Sequence, residues 1–196
     1  IFFERYCQGS ILDIGGGISS VTPDAEVFDL EHGDAQKILE YLEPESFDCV
    51  YSSHCLEHML DARAAIEQWW ALTSPGGHMI IVVPDEDLYE QGVWPSMFNS
   101  DRRYTFAISK EKSWSPASIN IDQMLSSLDR AKIISIELQD DGYDYNLNKK
   151  VISPFKHSLW NYKKDKGVKR MFKHLIFLLL YYPVYVCSNS AKGRII

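Results

Sequence analysis

Residues 10–17 read Ser-Ile-Leu-Asp-Ile-Gly-Gly-Gly, and this stretch constrains the fold more than any other. Ile11, Leu12 and Ile14 form an apolar run of strand length, and three glycines stop it. A buried strand that ends in glycines exposes main chain where side chains would otherwise stand, so a ligand can approach the backbone closely. Asp13 sits inside the apolar run, where a carboxylate is costly unless it finds hydrogen-bond partners. Taken alone, an ordinary glycine turn accounts for these residues equally well.

The rest of the chain supplies the context. Residues 1–7 read as the remnant of a leading helix. Residues 18–25 hold Ser19, Ser20, Thr22 and Pro23, and predict a loop too short for a full helix with its turns. Residues 26–30 predict a second strand that ends near Asp29. Residues 35–42 predict a helix with Ile38, Leu39 and Leu42 on one face and Asp34 as its cap. Residues 47–52 predict a third strand running into Ser53-His54-Cys55-Leu56-Glu57-His58. Residues 61–72 predict a helix with Ala65, Ile66, Trp69 and Leu72 along one face. Pro75-Gly76-Gly77 predicts a turn before an apolar strand at 78–83, of the kind covered on both faces. Residues 85–105 read as irregular. A helix is predicted over 118–131, a strand over 133–138, and an acidic aromatic loop over 140–145. Strands alternating with helices at these intervals indicate an α/β fold, not a sandwich. Ligands in such sheets bind at the carboxyl ends of the strands. That rule gathers residues 13–17, Asp29, residues 52–58 and Asp85 at one edge.

With 196 residues, 45% of them hydrophobic, the chain can build one core of ordinary size. Residues 1–148 carry 26 acidic and 9 Lys/Arg residues, so this body repels nucleic acid over much of its surface. Residues 149–196 carry 11 Lys/Arg residues and one acid, Asp165. They form a basic tail containing a thirteen-residue apolar run at 175–187, short of the roughly twenty residues that span a bilayer. This tail suits an anionic membrane surface, RNA, docking on the acidic body itself, a last strand of the sheet, or a dimer contact. No clean closing strand is legible after Tyr145. Cys7, Cys49, Cys55 and Cys187 form no CxxC pair, which argues for free thiols in a cytoplasmic protein. Residues 1–6 are too short for a signal peptide, and a start at Ile1 suggests preceding residues.

Asp29 follows a second strand within roughly twenty residues of the glycines, where an acid can accept both hydroxyls of a ribose. NAD is one candidate ligand. Its phosphate fingerprint needs G-x-G-x-x-G opening a helix, and here Ile18-Ser19-Ser20 follows the glycines. S-adenosylmethionine has a ribose and an adenine but no phosphate. It needs a glycine-lined pocket, an acid for the ribose and a polar group for the adenine, which Asp34 can supply.

At this point the sequence resembles the class I S-adenosylmethionine-dependent methyltransferases. The matching stretches are residues 11–17, Asp29, Gly33-Asp34-Ala35, residues 46–51, Leu56-Glu57-His58 and residues 72–77. The resemblance covers residues 8–90 firmly and 100–145 loosely. It implies a Rossmann-like, mostly parallel sheet with flanking helices, shortened after the first strand. It divides the chain into a domain at 1–148, with a substrate insert at 85–117, and a tail at 149–196. It implies that Gly15 and Gly17 bring main chain against the cofactor and that Asp13 orders the turn and holds the cofactor's amino group. Asp29 would hold the ribose, Asp34 and Ala35 would meet the adenine, and Ser53 and His54 would line the pocket near the sulfonium. Two departures stand out: Gly16, where the family often has Cys or Ala, and the missing helix over 18–25.

Methyl transfer needs a base only when the acceptor loses a proton. His54 is the first candidate, because imidazole suits proton abstraction near neutral pH, and Asp85 is its rival. His54 and His58 are spaced for one helical face, but no third ligand completes a metal site at short range, so no metal is expected. Tyr89, Trp94, Arg103 and Tyr104 in the insert combine flat apolar surface with fixed donors, a mixture that suits a sugar. The general look of 84–145 resembles methyltransferases of surface-polysaccharide or lipid-linked glycan synthesis, which implies a glycan acceptor at the inner face of the membrane. Two other readings stay open: a non-catalytic scaffold of the same fold, and an NAD-dependent oxidoreductase. A homo-oligomer is compatible with each.

Overall fold

The computed structural model describes residues 2–145 together with residues 194–195. A short helix α1 (Phe2–Tyr6) leads into β1 (Ile11–Ile14), whose four residues are all buried. Then follow β2 (Glu26–Phe28), a 3-10 helix (Ala35–Glu40), β3 (Phe47–Ser53), a 3-10 turn (Leu56–His58), α2 (Ala62–Ala71) and β4 (Thr73–Pro84). Beyond them lie a π-helical turn (Glu86–Glu90), β5 (Thr105–Ala107), β6 (Ser118–Asn120), α3 (Ile121–Ser126), β7 (Leu138–Gln139) and β8 (Arg194–Ile195).

Six strands form the main sheet in the order β2-β1-β3-β4-β8-β7. The first four run parallel, with Leu12 opposite both Glu26 and Val50, and Val50 opposite Met79. β8 runs antiparallel to both β4 and β7. This is the mostly parallel α/β sheet that the sequence predicts. One face packs on α2 through Ala65, Ile66 and Trp69. The Trp69 indole N–H donates to the Ala35 carbonyl at 2.9 Å, which ties the 3-10 helix to α2. On a second, smaller cluster, Cys7, Ile11, Cys49 and Ile80 pack together, with the Cys7 and Cys49 sulfurs 3.3 Å apart. Burial pushes both thiols up, so neither is a reactive thiolate.

Several expected elements differ in kind. The helix expected over 35–42 is a 3-10 helix kinked at Lys37, whose backbone is non-helical (φ −126°, ψ 37°). Its cap is as expected, since the Asp34 carboxylate accepts the Gln36 N–H at 2.9 Å. β4 begins at Thr73 instead of 78. Pro75-Gly76-Gly77 is an excursion within it, and the register jumps from Phe47 opposite Thr73 to Cys49 opposite His78. The helix expected over 118–131 gives up its first turn to β6, which pairs with β5, and Asn120 then caps α3 by accepting the Gln123 N–H. The strand expected over 133–138 shrinks to Leu138–Gln139. A closing strand does exist after Tyr145, at Arg194–Ile195, too short to show periodicity. No helix joins β1 to β2, as residues 18–25 indicate.

The insert is folded rather than loose. Glu86 is fully buried and accepts from Thr105 Oγ1, Lys110 Nζ and Ser113 Oγ at 2.8–3.1 Å. Asp87 receives Lys110 Nζ at 2.6 Å and the Trp114 indole at 2.9 Å. The basic stretch and apolar run of the tail, with the membrane-surface reading attached to them, lie outside the described residues. Among the described residues no helix is long and apolar enough to cross a membrane.

Candidate active site

The carboxyl ends of β2, β1 and β3 lie side by side and carry the glycine turn, Asp29 and residues 53–58 to one edge. Gly15 and Gly17 take left-handed φ values of 81° and 56°, which glycine adopts without steric penalty. The Gly15 N–H donates to the Phe28 carbonyl at 2.8 Å, fastening the turn to β2. A Cβ on Gly15 would stand 2.9 Å from that of Cys55, and one on Gly16 would stand 2.6 Å from Asp13 Oδ2. A side chain at 16 would press on the Asp13 carboxylate, which would have to shift.

Asp13 lies beneath the turn, 1% exposed. Its Oδ2 accepts the Val21 N–H at 2.7 Å, which holds the 18–25 loop in place of the missing helix. Its Oδ1 has no hydrogen-bond partner among the described residues. Burial pushes this carboxyl up, the Val21 bond opposes that, and the nearby negative Asp29 adds to it. An orphaned buried acceptor costs on the order of 1–3 kcal/mol, so a ligand donor reaching Oδ1 relieves a standing penalty.

Asp29 is half-buried at the rim. Its Oδ2 accepts the Gly17 N–H at 3.0 Å and its Oδ1 accepts the Leu30 N–H at 2.7 Å. Its own N–H donates to His32 Nδ1 at 3.0 Å. The carboxylate is thus fixed against the turn, with Ile18 and Leu30 exposing nearly all of their side chains on either side in sequence. Asp34 follows as the cap of the 3-10 helix, and Ala35 packs against the core. The donor set matches a ligand with an ammonium, vicinal hydroxyls and a flat ring, which are the groups of S-adenosylmethionine.

Ser53 ends β3, and His54 follows with a left-handed φ of 57°. Its N–H donates to the Val82 carbonyl at 2.9 Å. His54 Nδ1 lies 3.4 Å from Glu57 Oε1, and the same oxygen lies 3.2 Å from Arg102 Nη2 and 3.9 Å from His58 Nε2. Glu57 is fully buried. Burial alone would raise its carboxyl, but His54 and the Arg102 guanidinium together hold it below the usual carboxylate range. Arg102 Nη1 donates to Glu90 Oε1 at 3.0 Å, and its guanidinium carbon sits 3.5 Å from the centre of the Tyr89 ring.

The structure thus brings Asp13, Gly15, Gly17, Asp29, Ser53 and His54 together. Other candidates are engaged elsewhere. Asp85 is buried and caps the π-helical turn, its Oδ1 accepting from the N–H groups of Asp87 and Leu88. Tyr89 lies buried under Arg102, and the Tyr104 hydroxyl donates to the Leu60 carbonyl at 2.8 Å. Arg103 is exposed, and Trp94 is half-buried, joined to Pro95 by a cis peptide. Sequence reasoning missed the Glu57–Arg102–Glu90 chain. The one available signal was an acid inside the run Cys55-Leu56-Glu57-His58-Met59-Leu60.

Residues 13–81 match a family model described as a methyltransferase domain. No curated protein sequence matches the chain significantly. Among solved structures, a SAM-dependent methyltransferase from Thermotoga maritima aligns with 50% of this chain and 57% of its own, at 20% identity and a TM-score of 0.39. A protein of Bacillus halodurans C-125, described as a methyltransferase candidate, aligns with 85% of this chain and 82% of its own, at 16% identity and a TM-score of 0.50. The phosphoethanolamine N-methyltransferase 2 of Haemonchus contortus, solved with S-adenosyl-L-methionine, aligns with 98% of this chain at 16% identity and a TM-score of 0.47. This chain spans 49% of that protein. The match begins at the carboxylate beneath the glycine turn and ends inside β4, so that stretch resembles a methyltransferase domain, and the fold is that of the Bacillus halodurans protein.

Proposed function

We propose that the chain transfers a methyl group from S-adenosylmethionine to a small hydroxylated acceptor. The observation that carries this reading is the orphaned Asp13 Oδ1 beneath a side-chain-free turn, with Asp29 anchored at its rim. Asp13 takes the cofactor's ammonium, Asp29 its ribose hydroxyls, and Leu30 offers an apolar wall to the adenine. When bound, the cofactor supplies an electrophilic methyl on a cationic sulfur. The chain's task is then to align an acceptor and exclude water. On the insert, exposed Arg103 and half-buried Trp94 supply a donor and a flat face, which suits a sugar or a lipid-linked glycan. The basic residues of 149–173 would bring such an enzyme to an anionic membrane surface.

Calorimetric titration with S-adenosylmethionine and, separately, with NAD tests the reading. Binding of the first alone supports it. Binding of neither turns the chain into a scaffold, and binding of NAD alone overturns the proposal. Gly16→Ala should weaken cofactor binding in the same titration while the protein stays folded, because the added methyl presses on the Asp13 carboxylate and shifts it. Wild-type affinity in that variant would show that Asp13 has no part in the site.

A further inference from the structure

A buried ionic chain stands behind His54, and the cofactor contacts make no use of it. We propose that Glu57, clamped by Arg102, is a positioning residue that fixes His54 in one tautomer, Nδ1–H toward Glu57 and Nε2 bare, to receive the acceptor's proton. The methyl acceptor is therefore a neutral O–H or N–H nucleophile rather than a carboxylate. This inference rests on the methyl-transfer reading above.

An ionised carboxylate only accepts hydrogen bonds. The His54 nitrogen beside Glu57 Oε1 must then be the protonated one, which leaves the lone pair on Nε2. No described residue engages Nε2, and the His54 side chain is 30% exposed. The Nδ1–Oε1 distance of 3.4 Å is longer than a well-made hydrogen bond, as catalytic pairs often are before their ligands close the site. Glu57 itself cannot move to solvent. Arg102 Nη2 holds its side chain, and the Arg103 N–H holds its carbonyl at 2.8 Å. Arg102 is pinned independently by Glu90 and the Tyr89 ring. His54 keeps a left-handed backbone, a strain of about 1–3 kcal/mol that persists where the surroundings enforce it. Cys55, the next residue, packs against the glycine turn, which puts His54 beside the cofactor edge. In the transfer step the acceptor oxygen or nitrogen forms the new bond to the methyl carbon. The carbon–sulfur bond breaks with its electron pair left on sulfur, and the acceptor's proton passes to Nε2.

Two-bond proton–nitrogen correlation spectra of protein labelled with 15N-histidine read the tautomer directly. The wild-type protein should show His54 with Nδ1 protonated and Nε2 bare. Glu57→Gln should convert it to a mixture, because an amide both donates and accepts, while calorimetric affinity for S-adenosylmethionine stays unchanged. His58→Gln should leave the His54 pattern intact. A wild-type His54 protonated at Nε2, or a Glu57→Gln spectrum identical to wild type, overturns the proposal. The wild-type spectrum decides even if Glu57→Gln fails to fold. Failure of the wild-type protein to bind the cofactor sinks the methyl-transfer reading instead, and the two failures are read in separate experiments.

Discussion

Exchange of Arg102 for methionine lowers the unfolding free energy by about 3–5 kcal/mol, the loss expected when one partner of a buried ionic cluster is removed. The Arg102 side chain is 3% exposed, and it faces Glu57 and Glu90, which are 0% and 2% exposed. Methionine fills much of the volume and removes the guanidinium that Glu57 and Glu90 share. Urea denaturation measures the change. A loss below about 1 kcal/mol, the range of surface pairs, would show that the cluster is solvated and structurally idle. The effect carries a pH signature. Glu57 has a lowered carboxyl pKa in the folded chain. Its ionised form therefore contributes stability that is present above the unfolded carboxylate value and is lost as pH falls through the lower, folded value. Without Arg102 that depression weakens, so the penalty of the substitution is greatest at neutral pH and shrinks as acid protonates the stranded carboxylates.

Asp29→Ala should weaken S-adenosylmethionine by one to two orders of magnitude, about 1.5–3 kcal/mol for hydrogen bonds to a charged group. Two losses combine here. In the proposed binding mode the ribose hydroxyls lose their acceptor, and the Gly17 N–H loses the bond that fixes the turn. Asp29→Asn keeps one acceptor oxygen and should fall between the two. An unchanged dissociation constant for the alanine variant would remove Asp29 from the site, whatever its place on the rim.

The parts of this fold that could be read in advance are those where local pattern and tertiary need agree. β1 and β3 show as apolar runs closed by glycines or polar residues, and α2 shows as one apolar stripe. Residues 118–120 have the periodicity of the helix that follows them, yet β5 claims them as a strand, and no local signal reports a partner thirteen residues away. Residues 133–137 carry the alternation of a strand, but a ladder needs a neighbour, and only Leu138–Gln139 finds one in β8. The glycine turn and the acid just past β2 were legible as structure because a strand that ends in glycines and an acid at a strand end are local patterns. The Glu57–Arg102 contact was not, since its members stand 45 positions apart. Tyr89 and Tyr104 were misjudged for the same reason. Their residue types suit a ligand, but the structure uses them against Arg102 and the Leu60 carbonyl.

The position of β8 between β4 and β7 has a consequence for biogenesis. Residues 194–195 supply a strand in the middle of the order, while every other strand among the described residues lies before residue 140. A nascent chain can assemble the parallel half as it leaves the ribosome, but the margin of β4 at Val83 and Pro84 stays unpaired until residue 195 has emerged. An open strand margin invites pairing with other chains, and a contact this distant in sequence forms late. During synthesis the chain therefore passes through an interval in which its parallel strands are already built and its sheet is still open to a neighbour.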